Sequence, residues 1–212
     1  ITTAFPHILL ENCSSGGGRF DAGMLYYSPQ IWASDNTDAI ERLTIQFGAS
    51  LCYPIASLGA HVSANPRTSL KTRGNVAMCG TFGYELDPVK LTEEERALVR
   101  RQVADYHKYY DLIRYGDFYR LTSPTDNPFF CEWEFVSEDK TEALTTLVVM
   151  RQPEHVFHIQ YLRGLDPDRL YREEETGEVY SGALLMHAGL NLSCVSWESP
   201  DGDSLVRHFT AV

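Results

Sequence analysis

The sequence predicts two successive architectures, an α/β part over residues 1–115 and an antiparallel β-sandwich over residues 116–212. Two patterns lead to this prediction. Before residue 115, short apolar runs alternate with glycine-containing loops and helical segments, which is typical of α/β structure. Beyond it, apolar residues recur at every second position, as they do in half-buried strands. The sequence contains no repeat and no flexible linker, so we expect the two parts to pack directly on one another.

The α/β part contains three or four strand–helix steps, too few to close a barrel of eight strands. Apolar runs predict strands at residues 8–11, 30–34, 51–58 and 76–80, with loops at 13–18 and 61–63. Residues 24–27 fit either a helix or a strand. A helix is predicted over residues 37–47, because Asp38 and Glu41 have the spacing of a capping box and Gly48 is a stop signal. If this part is a barrel, it is the last part of one.

The clearest helix is predicted from residue 93 to about residue 115. Thr92 and Glu95 have capping-box spacing, and the three successive glutamates suit the positive end of the helix dipole. Gly116 ends the apolar stripe of this helix. The domain boundary is therefore expected near residues 113–117.

In the C-terminal part, period-two alternation is clearest over residues 129–136 and 156–162. Runs of this kind, separated by Pro, Gly and Asp turns, favour an antiparallel β-sandwich. Trp133 lies in the first run, at a position that is expected to be part of the core.

Composition excludes several classes of partner. The formal net charge of −11 argues against binding to nucleic acid or to an anionic membrane, and an acidic surface is compatible with a neutral substrate. The sequence shows neither a signal peptide nor an apolar run of about eighteen residues, so we expect no membrane association. Five widely spaced cysteines with no CxxC pair predict reduced thiols in a cytoplasmic protein.

Two neighbouring stretches carry the strongest functional signal. The first, residues 12–21, is a glycine-rich loop after an apolar run, and glycines let a ligand lie close to the backbone. The second, residues 29–38, places Asp35 at a predicted strand-to-helix turn, where α/β folds usually carry their chemistry. We expect the two stretches to border one pocket.

Each candidate residue also has a structural alternative. Asp35 could cap the following helix, although Asp38 and Thr37 can fill that role. Asp21 is interpreted as holding the glycine loop through turn hydrogen bonds or an ion pair with Arg19. Cys13 could be a nucleophile, but a small buried thiol is the simpler interpretation. Trp32 could stack on a sugar, but a core position is favoured.

No metal site is predicted. His155 and His158 would project to opposite faces of a strand, which is a poor geometry for binding one metal ion.

These motifs also carry a family resemblance. The run CSSGGGRFD and the run YYSPQIWASDNTDAIERL resemble the retaining α-galactosidases of glycoside hydrolase family 36, and the similarity continues through residues 59–63, 71–78, 80–86 and 116–121. The resemblance implies the last part of a catalytic (β/α)8 TIM barrel followed by a C-terminal β-sandwich. It also implies cleavage of terminal α-galactosyl residues from oligosaccharides such as melibiose or raffinose.

The resemblance assigns roles to three residues. Asp35 aligns with the family's general acid/base, and Cys13 and Gly16 align with residues that line the galactose subsite. No cofactor or metal is implied, and the larger family members are homotetramers.

Two features depart from the family. Its nucleophile motif, Lys-x-Asp-x-Asn-Arg, is absent, so we expect a C-terminal segment that is inactive by itself. The loop at residues 61–69 is shorter than in comparable members, which leaves the sugar accepted beyond galactose open.

Two other functions stay open at this point. An α-N-acetylgalactosaminidase would need room for a 2-acetamido group near Cys13 and Gly16. A non-catalytic carbohydrate-binding or scaffold module would need Trp133 and Trp197 exposed and coplanar on one face.

Overall fold

A computed structural model describes residues 1–152, 157–192 and 200–212. Within these ranges, no helix combines the length and apolar character needed to cross a membrane.

The first half of the chain is built on parallel strands separated by helices. Four strands form in chain order: β1 (Glu11–Asn12), β2 (Gln30–Ile31), β3 (Gly59–Ser63) and β4 (Thr81–Glu85). β1 pairs with β2 and β3 pairs with β4, both in parallel, and a parallel bridge from Ile31 to Leu58 joins the two pairs. Consecutive parallel strands with helical crossovers are the repeating unit of a barrel.

The helices of this half differ in length and in how they begin. Their bounds are α1 (Ser14–Gly17), α2 (Ala22–Tyr27), α3 (Ala39–Ala49), α4 (Leu70–Ala77) and α5 (Glu93–Tyr115). α2 shows that residues 24–27 are helical. α5 has the predicted capping box between Thr92 and Glu95. Asp38 caps α3, but its own N–H donates to Asn36 Oδ1 and not to Glu41, so only half of that predicted box forms.

Several local predictions are wrong, and the strand predicted over residues 8–11 overlaps β1 only at Glu11. Residues 51–58 form turns and a 3₁₀ helix, Ile55–Ser57, because Pro54 has no N–H to donate to a sheet and precedes a tight turn. Residues 61–63 belong to β3 and not to a loop. Val76 and Ala77 are the last residues of α4, whose first turn is capped by Ser69, and residues 78–80 form the turn after it. Apolar runs this short fit either a strand or a helix, and the Ser69 cap favours the helix here.

The second half of the chain is centred on a six-stranded antiparallel sheet. Its strands, in chain order, are β5 (Asp117–Thr122), β6 (Phe130–Val136), β7 (Glu142–Val149), β9 (Leu170–Glu173), β10 (Val179–Ser181) and β12 (Ser204–Ala211). Their order across the sheet is β10-β9-β12-β7-β6-β5. A separate pair, β8 (Ile159–Gln160) with β11 (Leu190–Asn191), and the helix α6 (Gly182–His187) complete this half. The predicted strand over residues 156–162 is reduced to β8, and residue 156 lies outside the described residues.

The two halves share one hydrophobic core. Trp133 and Phe135 on β6 pack with Leu43 of α3 and Leu112 of α5. Polar contacts reinforce the same junction, since Asn75 Nδ2 donates to Ser204 Oγ at 2.9 Å. The direct packing that the sequence predicted is therefore present.

The opposite face of the sheet buries a carboxylate. Glu134 is fully buried and its Oε2 accepts from the Arg163 N–H at 2.8 Å, while its Oε1 has no hydrogen-bond partner among the described residues. Burial raises the pKa of Glu134 to about 8, against a smaller opposing effect of the Arg163 hydrogen bond and charge.

We expect Glu134→Gln to remove a pH-dependent loss of stability. The folded-state pKa lies above the unfolded value, so the free energy of unfolding of the parent protein should fall as pH rises from about 4.5 towards 8 and then level off. The free energy of unfolding of the variant should not fall over this pH range, and at pH 8 it should exceed that of the parent by on the order of a few kcal/mol. Urea unfolding at pH 5, 6.5 and 8.5 measures the difference.

The matched control is Glu175→Gln, which changes an exposed glutamate for which burial can impose no such penalty. Parallel stability–pH curves for Glu134→Gln and the parent protein would show that Glu134 ionises freely in the folded state.

Candidate functional site

The candidate residues lie where the parallel strands β1 and β2 end. Cys13 follows β1 directly, and Asp35 lies four residues beyond the end of β2. Because neighbouring parallel strands point the same way, their following loops meet at one edge of the sheet. The structure thus brings the two predicted stretches together.

The glycine loop has backbone angles that few residues adopt. Ser15, Gly16 and Gly17 have φ values of 57°, 72° and 97°, so α1 is one irregular turn. An ideal Cβ on Gly17 would lie 2.6 Å from the carbonyl oxygen of Ala33. The loop therefore lies flat against the segment that leads to Asp35, at a distance only glycine allows.

Gly16 lies directly against Asp35. An ideal Cβ on Gly16 would be 3.2 Å from the Asp35 backbone nitrogen and 3.5 Å from its Oδ2. The Asp35 residue is exposed, and its carboxylate makes no hydrogen bond or ion pair with the described residues. A solvent-facing carboxylate beside bare backbone can exchange a proton with a bound molecule.

The turn that carries Asp35 is held by hydrogen bonds on both sides. Ser34 Oγ accepts from the Asn36 N–H at 3.1 Å, and Asn36 Oδ1 accepts from the Asp38 N–H at 3.0 Å. Asp38 in turn accepts from the N–H groups of Ile40 and Glu41 at the start of α3. Asp38 is thus the cap of the helix, and Asp35 is left free of that structural role.

Arg42 is the residue of this region that sequence reasoning missed. It is 2% exposed, and its Nη1 donates to the Ser34 carbonyl oxygen at 3.2 Å while its Nη2 donates to that of Gly59. Burial lowers the pKa of the guanidinium, although the charges of Cys79 and Glu85 oppose that change. Its helical spacing from Ala39 and Gln46, which are also buried, could have indicated its burial but not its contacts.

The aromatic residue of the same stretch is part of the core, as predicted. Trp32 is 8% exposed, and its ring lies 4.6 Å from that of His61. Gly59 fits under this ring, since an ideal Cβ there would be 2.9 Å from Trp32 Cε3. His61 Nδ1 also lies 2.9 Å from Glu85 Oε1.

The other candidates have structural positions. Asp21 caps α2 by accepting from the Met24 N–H at 2.8 Å. Cys13 is a partly buried free thiol. Trp133 is 5% exposed, which contradicts the exposed aromatic surface that a binding module would need. Trp197 and His155 lie outside the described residues.

The arrangement provides one side of a site. A cavity of about 330 Å³ is lined by Leu10, Glu11, Gln30 and Thr81, at the opposite ends of the strands from Asp35. Asp35, Gly16 and Cys13 lie on an open edge, where a ligand would touch them from one direction only.

Comparison with protein-family models divides the chain in two. Residues 1–116 match the melibiase family, and residues 130–209 match the C-terminal domain of glycosyl hydrolase family 36.

Curated relatives match along nearly all of this chain. The bifunctional α-galactosidase/sucrose kinase AgaSK of Mediterraneibacter gnavus is 52% identical over 91% of the chain, and α-galactosidase AgaA of Geobacillus stearothermophilus is 50% identical over all of it. The chain spans only 21% and 29% of the lengths of these relatives.

Solved structures agree with this assignment. AgaB of Geobacillus stearothermophilus superimposes with a TM-score of 0.93 at 49% identity, and a variant of AgaA in complex with raffinose with a TM-score of 0.94 at 48% identity. Each comparison covers 100% of this chain and 30% of the other. The predicted fold class, the last part of a (β/α)8 barrel followed by an antiparallel β-sandwich, is confirmed. The chain therefore belongs to glycoside hydrolase family 36, the family of these α-galactosidases.

Proposed function

We propose that this chain is the C-terminal part of a retaining α-galactosidase that cleaves terminal α-galactosyl residues from oligosaccharides such as melibiose and raffinose. The observation that carries the proposal is the exposed Asp35 carboxylate against the glycine loop at Gly16. Two structural neighbours support the substrate class, because variants of AgaA were solved with raffinose and with stachyose.

Asp35 is proposed as the general acid/base. A retaining glycosidase needs a second carboxylate about 5 Å away, which attacks the anomeric carbon. In the first step, Asp35 gives its proton to the glycosidic oxygen as the C–O bond breaks. In the second step, Asp35 takes a proton from the water that displaces the enzyme carboxylate. The attacking carboxylate would come from another part of the full-length protein, since this chain lacks the family's nucleophile motif.

Cys13 and Gly16 are proposed to line the galactose subsite. Gly16 lies against Asp35, and Cys13 is in the same loop, directly after β1. A sugar in contact with this loop would have its anomeric bond near the Asp35 carboxylate. Gly16 offers backbone without a side chain, which lets a sugar hydroxyl approach its polar groups. The chemistry requires no cofactor or metal.

The full-length protein is further proposed to be a cytoplasmic homotetramer. The family resemblance supports the assembly, and the widely spaced cysteines support a reducing compartment. Light scattering of the full-length protein should give the mass of four chains, and a monomeric mass at micromolar concentration would contradict the assembly.

Replacement of Asp35 by Asn in the full-length protein should lower kcat for melibiose by roughly 10²–10⁴-fold, because the leaving sugar then departs without a proton. Hydrolysis of 2,4-dinitrophenyl α-galactoside should lose much less in its first step, since a dinitrophenolate leaves unprotonated. Added azide should restore turnover of Asp35→Ala, because the anion attacks the intermediate without a general base.

The control is Asp21→Asn, which removes a neighbouring carboxylate but keeps an oxygen that can cap α2, so both rates should stay near the parent values. Equal losses in kcat/KM, which reports the first step, on the two substrates with Asp35→Asn would contradict the acid role. Turnover by the isolated 212-residue chain would contradict the proposed origin of the nucleophile. Faster hydrolysis of an α-N-acetylgalactosaminide than of the matching α-galactoside would favour an α-N-acetylgalactosaminidase.

Gly16→Ala should impair catalysis beyond its cost in stability. The left-handed backbone at φ 72° costs an alanine about 1 kcal/mol, and the new Cβ would also press on Asp35. We expect kcat/KM for melibiose to fall at least tenfold, as misplacement of reacting groups by about 1 Å can cost 10²-fold.

Gly177→Ala is the matched control for this substitution. Gly177 has φ 74° and no atom within 4 Å of an ideal Cβ, so the same strain arises away from the site. Equal kinetic losses in the two variants would show that strain alone explains the effect at Gly16.

A further inference from the structure

We propose that Arg42 is a positioning residue that fixes the backbone before Asp35 and so aims the Asp35 carboxylate. This inference rests on the proposed function, in which Asp35 protonates the leaving group. Arg42 does not touch the exposed face where a substrate would bind, since it is 2% exposed.

The guanidinium joins the segment that follows β2 to the first residue of the neighbouring strand, β3. Nη1 donates to the carbonyl oxygen of Ser34, the residue directly before Asp35, at 3.2 Å. Nη2 donates to the carbonyl oxygen of Gly59, the first residue of β3. One rigid planar group therefore sets the distance between the Asp35 turn and the neighbouring strand.

Two further contacts fix the orientation of the guanidinium. Nε donates to Gln46 Oε1 at 3.2 Å, one turn along α3. Arg42 Cζ lies 4.9 Å from the centre of the Trp32 ring. With all three types of guanidinium nitrogen engaged, the side chain cannot swing without releasing Ser34.

The charge of Arg42 is balanced differently from that of the arginines that pair with carboxylates. Arg67 and Arg207 pair with carboxylates, whereas Arg42 makes no ion pair with any residue that the structure describes. A buried cation without a carboxylate costs free energy that an apolar side chain of similar volume would avoid. The buried charge holds two main-chain carbonyls in place, those of Gly59 and of Ser34, the residue directly before the candidate acid/base Asp35.

The test is Arg42→Lys in the full-length protein, assayed on melibiose and on 2,4-dinitrophenyl α-galactoside. Lysine keeps the charge but loses the planar fork, so Ser34 and Gly59 can no longer be held together. We expect kcat/KM to fall ten- to a hundredfold for melibiose and less than threefold for the activated substrate, because only melibiose needs a well-aimed proton.

Arg120→Lys is the matched control. Arg120 also clamps backbone, donating from Nη2 to the Ser50 carbonyl oxygen and from Nε to Ser50 Oγ at 2.8 Å, beyond the far end of α3 from Asp35. This variant should lower the melting temperature while leaving the ratio of the two rates unchanged.

The outcomes distinguish a failure of the positioning role of Arg42 from a failure of the proposed function. Equal losses on both substrates with Arg42→Lys would overturn the positioning role. If that variant does not fold, Arg42→Ala is assayed with added guanidinium. A larger return of activity on melibiose than on the activated substrate supports the positioning role. An equal return on both substrates, or no return, overturns it. If Asp35→Asn shows no difference between the substrates, the proposed function itself fails.

Discussion

The candidate site depends on how closely the glycine loop lies against the segment between β2 and Asp35. Gly17 approaches the Ala33 carbonyl so closely that an ideal Cβ would lie 2.6 Å from that oxygen, and Gly16 contacts Asp35 itself. Any side chain at either position would push the two segments apart. The absence of two Cβ atoms therefore decides where Asp35 lies relative to the candidate subsite residues.

In addition to the glycine loop, the helix α3 holds the Asp35 turn. The cap at Asp38 fixes the start of α3, and Arg42 on the same helix reaches back to Ser34. One short helix thus anchors the turn at two points, one through its N-terminus and one through a buried cation. This arrangement leaves the Asp35 carboxylate without a structural hydrogen bond among the described residues, which suits its proposed role of giving and taking a proton.

The β-sandwich half contributes to the site through the shared core. Trp133 and Phe135 on its sheet pack with Leu43 of α3, the helix that carries Arg42. Burial of aromatic side chains of this size contributes roughly 1.5–3 kcal/mol each. Packing against the sandwich therefore stabilises the barrel segment. The burial of Trp133 also argues against a separate carbohydrate-binding surface.

The sequence by itself determined the two architectures, the long capped helix α5 and the pairing of the glycine loop with Asp35, because glycines, caps and period-two alternation act locally. Residues 51–58 and 76–80 carried local signals in Pro54 and in the Ser69 cap, which their apolar runs obscured. Only the tertiary structure decided that residues 61–63 extend β3, because they pair there with β4. The same holds for Arg42, whose role comes from two carbonyls 8 and 17 positions away in the chain. Such a contact leaves no local pattern, because it forms only when parallel strands place distant segments side by side.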